Sequence, residues 1–154
     1  MLQISMTMLK TAFVVGLALY LGLLAVMYLA QRSLMYFPYN VRVDPQDADF
    51  PQAREVALRA ADGTELIAWT VPPTNGKPLV IYFHGNGGSL QHRVPRFRPL
   101  VADGTGLVAL SYRGFGGSKG SPTERGLIED GQAAYDFARK QYPDAKIVLT
   151  STLL

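Results

Sequence analysis

The sequence predicts an α/β fold: a parallel sheet with an antiparallel hairpin at its amino-terminal edge, preceded by one transmembrane helix. Three observations predict it. Residues 11–30 form an uncharged apolar run, residues 79–83 and 107–111 are continuous apolar stretches separated by helix-like sequence, and 55–59 and 65–71 are extended stretches either side of Asp62-Gly63. Continuous apolar strands suit a parallel sheet covered by helices on both faces, and an Asp-Gly dipeptide between extended stretches signals a hairpin.

Taken in order, 1–10 is an amino-terminal tail and 11–30 the transmembrane helix. At about 1.5 Å per residue such a run reaches about 30 Å, the thickness of the hydrocarbon core. Lys10 and Arg32 bracket it, and Tyr28, Tyr36, Phe37 and Tyr39 gather at its far end, as aromatic residues do at headgroup level. A core helix of a small domain is rarely apolar on every face. A cleaved signal peptide fits less well, because its apolar region usually runs about 7–15 residues. Met27-Tyr28-Leu29-Ala30 also lacks the small residues of a cleavage site. The flanking charges do not orient the helix, since Lys10 and the amino terminus face Arg32 and Arg42.

Residues 31–53, with Pro38, Pro45, Pro51, Asp44, Asp47 and Asp49, read as a linker, and a domain occupies 54–154. Its hairpin is followed by a proline-rich loop at 72–78 and the strand 79–83. Residues 90–102 read as a helix shortened or kinked by Pro95 and Pro99. After the strand 107–111, Pro122-Thr123-Glu124 opens a helix to Gln141, and 146–149 reads as a final buried strand. Strands alternating with helices imply a parallel sheet.

The net charge of +3 is spread along the chain. Arg93, Arg96 and Arg98, the one local basic cluster, read as a solvated helix face, so no nucleic-acid partner is expected. With no cysteine there is neither a disulfide framework nor a thiolate metal site. His84 and His92 have no carboxylates at ligand spacing, so neither metal nor cofactor is expected.

The chemistry concentrates in His84-Gly85-Asn86-Gly87-Gly88, at the carboxyl end of a buried strand, the edge where open α/β sheets bind ligands. Glycines there let backbone N–H groups approach a substrate and stabilise a developing oxyanion. A phosphate loop would end in Gly-Lys-Ser/Thr, and a dinucleotide fingerprint would carry glycine where Leu90 stands. The second glycine-rich stretch, Tyr112-Arg113-Gly114-Phe115-Gly116-Gly117-Ser118, reads as structural and not as a phosphate clamp, its glycines supplying backbone freedom.

His-Gly-Asn-Gly-Gly-Ser after a buried strand, then Ser-Tyr-Arg-Gly-Phe-Gly-Gly-Ser-Lys-Gly-Ser-Pro and a helix containing Glu129-Asp130, resembles the membrane-anchored, serine-aminopeptidase-like branch of the α/β-hydrolase family over residues 54–149. The resemblance implies that the backbone N–H of Asn86 serves an oxyanion hole. It implies that His84, Gly85, Gly87 and Gly88 are structural parts of that loop, His84 not being the catalytic histidine. It also implies that Tyr112, Arg113 and Gly114 form the rim of the site, and it places the soluble part on the non-cytoplasmic side.

In this family nucleophile, acid and histidine follow in that order after the next strand, so all three are expected beyond Leu154 and no catalytic residue is expected within the chain. Thr150-Ser151-Thr152-Leu153-Leu154 has no glycine to form the nucleophile elbow, Ser118 and Ser121 read as turn residues, and His92 reads as a surface residue. The core is therefore expected to be an incomplete α/β-hydrolase, the amino-terminal part of a membrane-anchored serine hydrolase acting on esters or amides, from a truncated or frameshifted reading of a longer gene. Its expected partners are the lipid bilayer through 11–30 and, once completed, a small ester or amide. The alternative is a non-enzymatic, membrane-tethered binding or assembly protein with a degenerate hydrolase core.

Overall fold

A computed structural model describes residues 5–74 and 76–151. The first four residues of the tail, Asn75 of the 72–78 loop, and Thr152, Leu153 and Leu154 lie outside the described residues. The chain divides into two units, one ending at Met35 and the other beginning at Tyr36.

The first unit is a single helix, α1 (Met6–Met35), longer at both ends than the predicted 11–30 span. Its apolar window has a mean hydropathy of 2.3, and by length and composition it can cross a membrane. Two of its hydroxyls bond back into the helix: Thr11 Oγ1 donates to the Thr7 carbonyl at 3.0 Å and Ser33 Oγ to the Ala30 carbonyl at 2.8 Å. Such back-bonding lets a hydroxyl sit in a helix without a solvent partner.

In the second unit five strands form one sheet in the order β2-β3-β6-β4-β7, comprising β2 (Arg54–Arg59), β3 (Glu65–Val71), β4 (Leu79–Phe83), β6 (Gly106–Ser111) and β7 (Ile147–Ser151). As the sequence predicts, β2 and β3 pair antiparallel as a hairpin, and β6, β4 and β7 run parallel. The hairpin joins the parallel part through an antiparallel β3–β6 pairing, Ile67 opposite Ser111. A short pair, β1 (Phe37–Pro38) with β5 (Gly87–Gly88), lies outside this sheet.

Alternate residues divide the core. Ile67, Trp69, Tyr82, Leu107 and Ala109 pack on one face with Phe50, Val94 and Phe97. Leu66, Ala68, Leu79, Ile81, Val108 and Leu110 pack on the other with Ala134 and Ala138 of α3 (Glu124–Gln141). Burial on both faces is why these strands lack a polar alternation. Thr123 caps α3 by accepting the Gly126 N–H at 3.1 Å.

Three expectations are corrected. Residues 36–53 are not a linker, because Phe50 has no exposed surface and packs 5.9 Å from Phe97, and Arg98 pairs with Asp49. A large aromatic in a proline- and aspartate-rich stretch has found the core. The predicted helix 90–102 is a 3₁₀ turn at Leu90–Arg93 followed by α2 (Val94–Val101), with Pro95 in its first turn and Pro99 inside. The last strand is not buried: Ile147 is half-buried, and Val148 and Leu149 are 40% and 60% exposed. It pairs with β4 on one side only and sits at the sheet edge.

Candidate active site

The two glycine-rich segments meet at the carboxyl ends of β4 and β6, and His84 joins them. A backbone N–H can only donate, so the Tyr112 N–H at 3.2 Å from Nε2 fixes that nitrogen as the lone-pair acceptor. The ring proton is then on Nδ1, which donates to the Gly85 carbonyl at 2.6 Å. Tyr112 and Phe115 meet the imidazole edge-on at 5.1 and 4.9 Å. Burial, in opposition to the Gly85 hydrogen bond, pushes the pKa of His84 down to about 4, with the nearby Arg93 charge adding to the shift. A 4% exposed ring with both nitrogens engaged is a neutral cross-link and not a proton shuttle.

That cross-link orients the loop. The peptide bonds are trans, so carbonyl and N–H across one peptide point in opposite directions. Holding the Gly85 carbonyl on His84 therefore turns the Asn86 N–H away from the imidazole. The next peptide is held likewise, because the Phe37 N–H donates to the Asn86 carbonyl at 3.0 Å, which sets the direction of the Gly87 N–H. Gly87 and Gly88 continue the pairing with Phe37 and Pro38.

The second loop is anchored below its rim. Arg113 is 7% exposed, and its guanidinium reaches Asp130 at 2.8 Å and Asp62 at 2.7 Å, with Glu129 at 3.6 Å. Hydrogen bonding to Asp130 first, then to Asp62, raises its pKa. Asp62, in the β2–β3 turn, is held below the usual carboxylate range by the Thr64 backbone N–H and by Arg113. Burial, with the Asp130 charge, pushes the Tyr112 phenol up to about 12, so it remains protonated. Gly114, at φ +83°, donates its N–H to the Lys119 carbonyl, closing the turn beside Tyr112 and Arg113. Ser118 is structural, with Oγ donating to the Ser111 carbonyl at 2.7 Å and accepting the Ile67 N–H at 2.8 Å.

Several contacts here carry no signature in the sequence. Arg93 is not on a solvated face: its guanidinium donates to the Gly87 carbonyl at 3.0 Å, and its Nε is buried without a hydrogen-bond partner among the described residues. His92 is exposed but engaged, since its Nδ1 accepts the Ser89 N–H at 3.1 Å and lies 3.2 Å from Ser89 Oγ. That pair closes the 3₁₀ turn. Ser89 is 3% exposed and its partner nitrogen already takes a backbone proton, so the dyad lacks the access and free base of an activated nucleophile. Ser151 lies within β7, opposite Phe83, and not on a turn. The space bounded by Val41, Ser89, Leu90 and Gly116 is only about 10 Å³. A cavity of about 620 Å³ lies elsewhere, against the hairpin, lined by Asn40, Arg42, Arg59, Glu65 and Lys119. No cluster of potential metal ligands occurs among the described residues.

No family model matches the chain. It is 32% identical over 129 residues to the uncharacterized protein YfhR of Salmonella typhimurium, matching 79% of this chain and 43% of that one. It is 33% identical over 138 residues to protein bem46 of Schizosaccharomyces pombe, matching 84% of this chain and 46% of that one. An α/β-hydrolase domain-containing protein of Arabidopsis thaliana, WAV2, is 36% identical over 86 residues, 53% of this chain and 28% of its own length. Among solved structures, the esterase Pf2001 of Pyrococcus furiosus superposes with a TM-score of 0.61 at 25% identity, covering 76% of this chain and 46% of that one. The chain belongs to the α/β-hydrolase family, with an incomplete core, and spans less than half the length of the curated relatives it matches.

Proposed function

We propose that this chain is the amino-terminal part of a membrane-anchored serine hydrolase of the serine-aminopeptidase-like branch, acting on an ester or amide, and that it does not turn over substrate on its own. The observation that carries this reading is the loop after β4, where His84, locked neutral between Gly85 and Tyr112, orients the peptide bearing the Asn86 N–H. In the completed enzyme a serine on the turn after β7 attacks the carbonyl carbon, and the Asn86 N–H receives the oxyanion. Anchoring through α1 is supported by its length and hydropathy, and the resemblance to amino-terminally anchored hydrolases favours a soluble part on the non-cytoplasmic side. The coverage of 43–46% of YfhR and bem46 supports a part over a whole.

Fluorophosphonate labelling tests this. The probe traps a serine only where a base activates it, so the chain as given should remain unlabelled, Ser89 included. A protein extended by translating the gene past the codon for Leu154 should be labelled at a serine in a Gly-x-Ser-x-Gly sequence. Absence of that sequence in every frame would favour the non-enzymatic, membrane-tethered alternative.

A further inference from the structure

We propose that the cavity against the β2–β3 hairpin binds a small organic monoanion, a carboxylate carrying a short aliphatic body. The cavity, about 620 Å³, lies within the second unit, and none of residues 84–88 borders it. That volume is in the usual range for small-ligand sites.

Its walls carry more donors than acceptors. Lys119 is anchored through its backbone, where its N–H donates to the Glu65 carbonyl at 2.8 Å, while its Nζ has no partner among the described residues. Asn40 is oriented by the Gly117 N–H, which can only donate and therefore meets Oδ1, at 3.0 Å. Both N–H bonds of Asn40 Nδ2 are thereby left without a partner among the described residues. Arg42 uses Nε and Nη2 on Glu55 Oε1, and Arg59 gives Nη1 to the Gly63 carbonyl at 3.2 Å and Nη2 to Glu65 at 3.0 Å. Arg42 Nη1 and Arg59 Nε remain over. The enclosure is built into the backbone: Gly117 stands at φ +92°, and a Cβ there would lie 2.7 Å from Arg42 Cβ, so this wall closes only on glycine.

Charge and floor select the ligand. Arg42, Arg59 and Lys119 share the walls with Glu65, and Glu55, paired with Arg42, neutralises a second cation, so one positive charge remains. A monoanion balances it, whereas a phosphate dianion would leave a negative charge over. Charge-assisted hydrogen bonds from ammonium and guanidinium to carboxylate are the stronger kind. The floor includes the register pair Ala57 and Ile67, an apolar surface for a short aliphatic body.

The probe is butyrate, with butanol as its uncharged counterpart, titrated into the full isotope-labelled chain in dodecylmaltoside micelles. Butyrate replaces chloride at constant ionic strength, so general screening does not change. It should shift the nuclear resonances of the Asn40 side-chain amide and the Gly117 backbone amide saturably, and butanol should not. Lys119→Gln should weaken the apparent affinity about fivefold, the upper range for an exposed ion pair, and Lys119→Arg should retain it. Lys140→Gln, which removes the same charge from an exposed position on α3, should leave it unchanged. Trp69, the one tryptophan and 2% exposed, reports an intact core in each variant. A spectrum unmoved by butyrate would overturn the site. So would shifts that butanol reproduces, or an affinity that Lys119→Gln and Lys140→Gln change equally. None of these measurements requires turnover, so their outcome is independent of the hydrolase reading.

Discussion

Asp130, with no exposed surface, takes from Arg113 both the backbone N–H at 2.9 Å and the guanidinium, Nε at 2.9 Å and Nη2 at 2.8 Å. One carboxylate thus fixes the main chain and the side chain of the residue that follows Tyr112, whose N–H holds His84. The loop after β4, the turn at Tyr112–Gly114 and α3 are connected through this pair.

Removing the acid should therefore cost more than an exposed ion pair would. Asp130→Ala leaves the buried guanidinium with Asp62 and the more distant Glu129, and breaking a buried pair in this way typically costs about 3–5 kcal/mol. Urea unfolding of the detergent-solubilised chain measures it. A loss under about 1 kcal/mol, the range of surface pairs, would contradict the assignment.

Gly126 supplies a test of opposite sign. Replacing a helical glycine by alanine ordinarily stabilises by up to about 1 kcal/mol. Here the added Cβ would lie 2.5 Å from Arg113 Nη1 and 2.6 Å from Cζ, in a side chain held by two carboxylates. Gly126→Ala should instead destabilise by about 1–3 kcal/mol, as overpacking does. Gly131→Ala on the same helix, where the nearest atom is Phe83 Cε1 at 3.7 Å, should be neutral or stabilising. Equal melting shifts for the two variants would contradict the packing described.

The buried imidazole predicts a pH window. His84 has a folded pKa lowered to about 4 from its ordinary 6.5, so the unfolded chain binds a proton that the folded chain refuses between those values. Its contribution is complete above pH 6.5 and is lost as pH falls towards 4, amounting to roughly 3 kcal/mol by linkage. Asp62, whose folded pKa is lowered, loses its contribution only below its unfolded pKa of about 3.9, outside that window. Stability measured from pH 7.5 to 4.5 should fall in the native chain and stay flatter in His84→Gln. Parallel profiles would contradict a neutral buried ring.

What the sequence revealed, and what it hid, follows from the range of the interactions. The parallel strands were legible because Leu79, Ile81, Val108 and Leu110 pack on one face while Tyr82, Leu107 and Ala109 pack on the other, which leaves uninterrupted apolar runs. In the sequence Asp130 shows only within the Glu129-Asp130 pair of the resemblance; its burial shows in the structure, where Gly126, Asp130, Ala134 and Ala138 recur every fourth residue on the buried stripe of α3. Phe50 and the β1–β5 pairing were not legible. Phe50 meets Phe97 far along the chain, and in the β1–β5 pairing Phe37 and Pro38 stand against two glycines, so that three of the four residues are ones depleted in strands. Arg93 was lost for a similar reason, its partner being a backbone carbonyl that every residue possesses.

A pair of substitutions at Asn86 in the completed, labelling-competent protein tests the proposed oxyanion role of its backbone N–H most directly. Asn86→Ala keeps the backbone N–H, whereas Asn86→Pro removes it. Losing one oxyanion donor typically costs about 2.7–4 kcal/mol, roughly two to three decades in kcat. With the fold verified by circular dichroism, the alanine variant should retain most esterase activity and the proline variant should fall by that amount. A proline variant as active as the native protein would remove Asn86 from the site.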